Sequence, residues 1–181
     1  GLSRLWNLPL TPSQLEGMGA RLGADVPFCV RGGLQMVSGI GEKLQPVPSG
    51  VPIHLIAVHP GTGLSTPEIF RAWDRAPVYL STDARLTAQA IQNGDLYALA
   101  QRMGNALQPA AVERLPVIQN MIDDLKEAGA LAAQMTGSGS AVIGFFSQRQ
   151  QAAQALEALR ARYPLCEAME TVPTGVEIVE E

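Results

Sequence analysis

The chain of 181 residues has few charged side chains, few aromatic ones and no long hydrophobic run. Charged residues make up 17% and hydrophobic residues 46%, which excludes an intrinsically disordered chain, since disorder needs low hydrophobicity and high charge. The formal net charge of −4 argues against a protein that holds nucleic acid through phosphate contacts. No run approaches the roughly 20 apolar residues of a membrane span, and no signal-peptide pattern opens the chain. We therefore expect a cytoplasmic protein with neither a nucleic-acid nor a membrane partner.

Cysteine and histidine are also scarce, with two of each. Cys29 and Cys166 are too few for a disulfide framework or a four-cysteine zinc site. His54 and His59 have no cysteine or carboxylate at ligand spacing, so we predict no metal site. We expect Cys29, which lies in an apolar segment, to be a buried and unreactive thiol.

Hydrophobic spacing and turn residues predict a mixed helix and strand protein. The order of a strand, several helices, two strands, a helix and a strand predicts an α+β sandwich with helices on one face of the sheet. The pattern predicts helices capped by Thr11 and by Thr66. It predicts strands at 26–30, 34–37, 43–47, 53–58, 131–135, 141–146, 166–172 and 176–179.

A cluster of prolines and glycine at residues 46–52 is the only linker-like segment of the chain. Proline and glycine interrupt regular structure, so domain boundaries favour such segments. We therefore predict two domains, residues 1–49 and residues 50–181.

Two features could carry chemistry, and each has a structural alternative. Asp25 follows a predicted helix end, so it is either a solvated turn residue or a carboxylate that accepts a hydroxyl proton. The TGSGS segment at 136–140 lies between two predicted strands and lacks the lysine of a Walker A loop. It is either a tight hairpin or a loop in which Gly137 and Gly139 let backbone N–H groups approach a phosphate.

Three ring side chains stand near a second glycine-containing segment, residues 59–63. His59 begins that segment and could face a pocket. Phe70 and Trp73 are most simply parts of a helix core, and alternatively one of them stacks on a base at a pocket rim. All three stay candidates for the wall of a pocket.

Taken together, four segments resemble the GHMP small-molecule kinases in order and spacing. They are LGADVPFCVRGG at 22–33, LIAVHPGTGLSTPEIFRAWD at 55–74, GNALQP at 104–109 and MTGSGSAVIGFF at 135–146. The resemblance covers essentially the entire chain, and the pairing of GADVPF with GSGSAV is specific. Ser140 departs from the family's third glycine motif, which usually has proline or alanine there.

The resemblance implies an ATP-dependent kinase of the α+β GHMP type. Residues 1–49 would be the remnant of the ATP-binding domain, and residues 50–181 a ferredoxin-like C-terminal domain. The implied reaction transfers the γ-phosphoryl group of ATP, accompanied by Mg²⁺, to the 2-hydroxyl of 4-diphosphocytidyl-2-C-methyl-D-erythritol in non-mevalonate isoprenoid biosynthesis. The alternatives are a GHMP kinase for mevalonate, phosphomevalonate, homoserine or a sugar, and a non-catalytic ferredoxin-like binding module.

The same resemblance implies roles for individual residues. Asp25 matches the catalytic aspartate, which orients or deprotonates the attacking hydroxyl. Thr66 matches a position near the substrate diphosphate, and Phe70 one whose ring packs on the cytosine. The predicted substrate-binding residues are Thr66, Phe70 and His59. The resemblance also implies that Gly137, Ser138 and Gly139 form the loop that supports the nucleotide-phosphate loop, which makes them the predicted ATP-binding residues.

The beginning of the chain departs from the family pattern. GHMP kinases carry a glycine-rich phosphate-binding loop and a catalytic lysine upstream of the helix that residues 1–10 resemble, and neither motif is present. We therefore expect the chain to be the C-terminal part of a kinase and to be inactive alone. We also expect Leu2, Leu5 and Trp6 to expose apolar surface.

Overall fold

The computed structural model describes residues 1–48 and 51–176, which fall into two units. Unit 1 is Gly1–Gly50 with Val172–Glu181, and unit 2 is Val51–Thr171. The predicted second domain also included residues 172–181, of which 177–181 lie outside the described residues, as does most of the strand predicted at 176–179. The interpretation of residues 1–49 as the remnant of an ATP-binding domain stays a prediction.

Unit 1 consists, in its described part, of three short helices and a two-stranded hairpin. The helices are α1 (Leu2–Leu5), α2 (Pro12–Gly19) and α3 (Val26–Arg31), and the antiparallel strands are β1 (Gln35–Ser38) and β2 (Lys43–Pro46). The predicted cap of α2 is confirmed, because Thr11 Oγ1 accepts from the Gln14 N–H and Gln14 Oε1 accepts from the Thr11 N–H. The expected exposure is also confirmed for Leu2, Leu5 and Trp6.

Helix α3 shows that two sequence predictions were wrong. Residues 26–30 are helical rather than extended, and Pro27 fits the first turn of a helix because its missing N–H is not needed there. In a strand the same proline would remove a hydrogen bond of the ladder. Cys29 is exposed on this helix, so it is not the buried thiol that its apolar neighbours suggested.

Unit 2, which is described throughout, is a four-stranded antiparallel sheet with six helices. The strands are β3 (His54–His59), β4 (Ala132–Met135), β5 (Val142–Phe146) and β6 (Leu165–Glu170). The helices are α4 (Thr66–Arg75), α5 (Ala84–Gln92), α6 (Leu96–Arg102), α7 (Gln108–Arg114), α8 (Val117–Glu127) and α9 (Arg149–Arg160).

The sheet has the strand order β4-β5-β3-β6, and every neighbouring pair is antiparallel. With α8 before β4 and α9 between β5 and β6, this is the ferredoxin-like βαββαβ topology. The predicted fold of the C-terminal domain is therefore confirmed. Helices α4 to α7 are an insertion between β3 and α8.

Helices cover both faces of this sheet, whereas the sequence predicted helices on one face. The larger core lies under α8 and α9 and includes Ile56, Val58, Ile122, Leu125, Met135, Val142, Phe146 and Leu159. On the opposite face, Leu55 and Phe145 of the sheet pack with Ala90 of α5 and Leu99 of α6. The nearly continuous apolar run at 53–58 is typical of a strand buried on both faces, and it was the signal for this arrangement.

Hydrogen bonds between polar side chains connect the segment that follows α9 to α8. Asp124 of α8 accepts hydrogen bonds from Arg162 Nη1 at 2.6 Å and from the Tyr163 hydroxyl. Burial is the largest cause and the hydrogen bond to Asp124 the next, and together they raise the pKa of Tyr163 to about 12.

The raised pKa of Tyr163 leads to a prediction about stability at high pH. An unfolded tyrosine titrates at about pH 10, so the protonated phenol stabilises the fold fully below that pH. This contribution is lost as the pH rises through about 12. We expect an absorbance titration of phenolate to show a late step that Tyr163→Phe removes. Asp124→Asn should move that step to lower pH, and an unmoved step would contradict the assigned contact.

Candidate functional site

Two loops of unit 2 lie side by side at one end of the sheet. The antiparallel register pairs Val58 with Val142, so the end of β3 is next to the start of β5. We call residues 59–65, which follow β3, the proline-glycine loop. We call residues 136–140, which join β4 to β5, the glycine loop.

Ser140 and His59 connect the two loops. The Ser140 side chain is 1% exposed and its hydroxyl donates to the Thr62 carbonyl oxygen. Its Oγ lies 3.2 Å from His59 Nε2, and the Gly61 N–H donates to His59 Nδ1 at 3.0 Å. Both ring nitrogens of His59 are therefore engaged within the chain. That His59 contacts a substrate stays a prediction, and such a contact through a ring nitrogen would require one of these bonds to break.

A pair of hydroxyl groups forms a second link between the loops. Thr66 Oγ1 and Ser138 Oγ are 2.7 Å apart. The structure corrects the predicted cap of α4, because Ser65 is the N-cap residue and Thr66 is the first helical residue. The Thr66 hydroxyl is exposed and is not used as a cap, so it is available to a ligand. Hydroxyl groups beside the free N–H groups of a helix N-terminus suit an anion such as a phosphate.

Glycine is required by the path of the glycine loop. Gly137 and Gly139 have φ angles of +57° and +89°, in the region that favours glycine. A Cβ at Gly139 would lie 2.7 Å from Met135 Sδ and 3.2 Å from Leu64 Cδ1, whereas a Cβ at Gly137 would meet nothing within 4 Å. Gly139 thus permits close contact inside the molecule, and Gly137 leaves open space outside it.

The contrast between the two glycines gives a matched pair of variants. Gly137→Ala should lower the free energy of unfolding by about 1–2 kcal/mol, the cost of a left-handed conformation for a residue with Cβ. Gly139→Ala should lower it further, because the methyl group also displaces Met135. Urea unfolding of both variants measures this difference, and equal losses would show that the close contact is not present.

Asn105 fixes the start of the glycine loop. Its Nδ2 donates to the Met135 carbonyl at 2.9 Å and to the Gly137 carbonyl at 2.8 Å, while its Oδ1 accepts from the Leu107 N–H. Gln108 Oε1 accepts from the Met135 N–H at 2.9 Å. Neither side chain had a predicted role, and the only signal in the sequence was that both lie in the GNALQP segment.

The aromatic candidates differ in what surrounds them. The Phe70 ring is 49% exposed on α4, next to the fully buried Ile69. Trp73 Nε1 donates to the Val78 carbonyl at 3.1 Å, and its ring packs edge-to-face on Tyr79 at 5.7 Å between centroids. Trp73 therefore has structural partners, whereas the Phe70 ring is available to a ligand.

Asp25 lies in unit 1. It occupies the N-cap position of α3, its side chain makes no capping hydrogen bond, and it is exposed. The site residues Thr66, Ser138 and Phe70 lie in unit 2. That Asp25 acts together with them stays a prediction.

Within residues 1–48 and 51–176, no group of three or more His, Cys, Asp or Glu side chains is placed to hold a metal ion. Across the same residues, none of the helices combines the length and apolar character that crossing a bilayer requires. The cytoplasmic location expected from composition stays a prediction.

Comparisons with known proteins agree on one family. Residues 87–165 match the family model described as GHMP kinases C terminal. One relative is a protein of Caldanaerobacter subterraneus subsp. tengcongensis that is named 4-diphosphocytidyl-2-C-methyl-D-erythritol kinase. Its sequence is 36% identical to this chain over an alignment that covers 98% of the chain. The chain spans 62% of the length of that relative.

Solved structures show the same likeness. A crystal structure of 4-(cytidine 5'-diphospho)-2C-methyl-D-erythritol kinase matches with a TM-score of 0.77 and 26% identity, over 94% of this chain and 59% of that one. The mevalonate kinase of L. major, in complex with R-mevalonate, matches with a TM-score of 0.66 over 95% of this chain and 62% of that one. Its identity of 20% shows a shared fold alone.

Proposed function

We propose that the chain is the C-terminal part of an ATP-dependent small-molecule kinase, because residues 87–165 match the GHMP kinases C terminal model and unit 2 has the ferredoxin-like fold. The proposed acceptor is the 2-hydroxyl of 4-diphosphocytidyl-2-C-methyl-D-erythritol, the substrate in the names of the relatives at 32–37% identity. The observation that carries the proposal is the hydroxyl pair of Thr66 and Ser138 at the N-terminus of α4, with the exposed Phe70 ring on the same helix.

The proposed site divides the substrate between two kinds of contact. The diphosphate would accept hydrogen bonds from the Thr66 and Ser138 hydroxyls, and the positive end of the α4 dipole would favour its charge. The cytosine would pack on the Phe70 ring, which is exposed one turn into the helix. Asn105 and Gly139 would act by keeping the glycine loop in place.

Asp25 is the proposed catalytic residue. Its carboxylate would orient the acceptor hydroxyl and take its proton as the oxygen bonds to the γ-phosphorus and the bond to the leaving ADP breaks. An exposed carboxylate without a capping role is free to do this. When bound, ATP supplies the phosphoryl group and Mg²⁺ on its phosphates offsets their charge. In unit 2, the hydroxyl pair and the glycine loop have chemistry that suits a phosphate.

The test is release of ADP from ATP and Mg²⁺ in the presence of the proposed substrate. We expect activity in the protein expressed from its complete gene, competition by cytidine nucleotides, and no activity in residues 1–181 alone. Turnover with mevalonate, homoserine or a sugar instead would assign another GHMP substrate. A folded protein without activity on any of them would leave the non-catalytic binding module. Activity of residues 1–181 alone would overturn the expectation that this chain is inactive by itself.

A further inference from the structure

We infer that His59 is a positioning residue, held as the Nε2–H tautomer, which clamps the proline-glycine loop to the glycine loop. The tautomer follows from contacts within unit 2 alone. Its consequence for catalysis rests on the proposed function. Two hydrogen bonds to the imidazole ring and one between Ser140 and Thr62 determine where the ring hydrogen lies.

The Ser140 side of the ring fixes one proton. A carbonyl oxygen only accepts, so the contact between Ser140 and Thr62 uses the single hydroxyl hydrogen of Ser140. Ser140 Oγ then has only lone pairs to offer to His59 Nε2 at 3.2 Å. His59 Nε2 must therefore carry the hydrogen and donate it.

The Gly61 side of the ring gives the same answer independently. The Gly61 backbone N–H donates to His59 Nδ1 at 3.0 Å, so Nδ1 carries a lone pair and no hydrogen. A neutral imidazole has one donor and one acceptor nitrogen, and both contacts are satisfied by one tautomer. The opposite tautomer would set two N–H groups against each other at Gly61 and two lone pairs against each other at Ser140.

The contact between His59 and Ser140 fixes the positions of the Thr66 and Ser138 hydroxyls, which are proposed to bind the ligand. Thr66 directly follows the proline-glycine loop, and Ser138 lies in the glycine loop two residues before Ser140. By joining the loops, His59 and Ser140 keep these hydroxyls at their separation of 2.7 Å. The imidazole therefore contributes to ligand binding through Thr66 and Ser138, without a ring nitrogen touching the ligand.

Nitrogen NMR of the imidazole rings tests the tautomer directly, because the chain has only two histidines. We expect His59 to show a protonated Nε2 and an unprotonated Nδ1 at neutral pH. His54→Gln assigns the signals, and His54 lies at the other end of β3, where its Nδ1 is 3.4 Å from Glu170. A protonated Nδ1, or tautomers averaged by exchange, would overturn the inference whether or not the protein is a kinase.

Two substitutions separate the two bonds of the ring. The amide of His59→Asn reaches the place of Nδ1 and can accept from Gly61 only, whereas the longer His59→Gln reaches the place of Nε2 and can contact Ser140 only. In the active protein we expect each to raise KM for the acceptor about three- to tenfold with kcat nearly unchanged, and His59→Ala to raise it more. His54→Gln should change neither constant. An unchanged KM in His59→Ala would overturn the positioning role. Absence of kinase activity in the unsubstituted protein would instead count against the proposed function.

Discussion

Asp25→Asn should lower kcat of the proposed kinase about 10²- to 10⁴-fold, the usual contribution of a general base, and leave the fold intact. Asparagine keeps the shape of the side chain and one oxygen acceptor, but it cannot take the proton of the acceptor hydroxyl. The fold should tolerate the change because Asp25 is exposed and makes no capping hydrogen bond. Steady-state kinetics of the protein from the complete gene, beside a thermal melt, measures both effects.

A matched control is the same substitution at a structural carboxylate. Asp95 Oδ1 accepts from the Ala98 N–H at 2.9 Å and caps α6. Asparagine caps a helix about as well as aspartate, so Asp95→Asn should change neither activity nor stability appreciably. If Asp25→Asn behaves like Asp95→Asn, then Asp25 is a turn residue and the proposed catalytic role fails.

The ferredoxin-like fold could be predicted where the hydrophobic pattern has one interpretation. The strand at 54–59 lies between two segments with glycine and proline, the strand at 142–146 follows the glycine loop, and both apolar runs are too short for helices. Residues 26–31 could not be assigned in this way, since a short apolar run has no distinctive period and tertiary packing decides between helix and strand. The cap of α4 was misplaced by one residue because Ser65 and Thr66 are both good N-cap residues.

The candidate site could be predicted in part, for a related reason. Glycine spacing indicated the loop at 136–140, because glycine is needed wherever φ is positive. The supports of that loop could not be found from spacing, since Asn105 and Met135 are 30 residues apart and meet only in the fold. In the sequence, Ser140 is only a departure from a motif, and its buried contacts with His59 and Thr62 follow from the pairing of β3 with β5.

Substitutions that disturb the packing of α8 on β5 should lower the free energy of unfolding strongly. Leu125 of α8 is fully buried, and a Cβ added at Gly144 of β5 would lie 2.9 Å from Leu125 Cδ2. Leu125→Ala should lower the free energy of unfolding by about 2–5 kcal/mol, because it removes buried methyl groups and leaves a cavity. Gly144→Ala should lower it by about 1–3 kcal/mol, because its methyl group collides with Leu125.

The double variant of Leu125→Ala and Gly144→Ala tests whether these two residues pack against each other. With Leu125→Ala present, the methyl group of Gly144→Ala fills part of the vacated volume, so the combined loss should be at least about 1 kcal/mol smaller than the sum of the single losses. Trp73 fluorescence in a Trp6→Phe background reports unit 2 separately, since the chain has two tryptophans and only Trp73 lies in that unit. Gly63→Ala is the control for an added methyl group, because its Cβ meets nothing within 4 Å, and it should change stability little. Additive losses in the double variant would mean that Leu125 does not pack on Gly144, and the placement of α8 on the sheet would then be wrong.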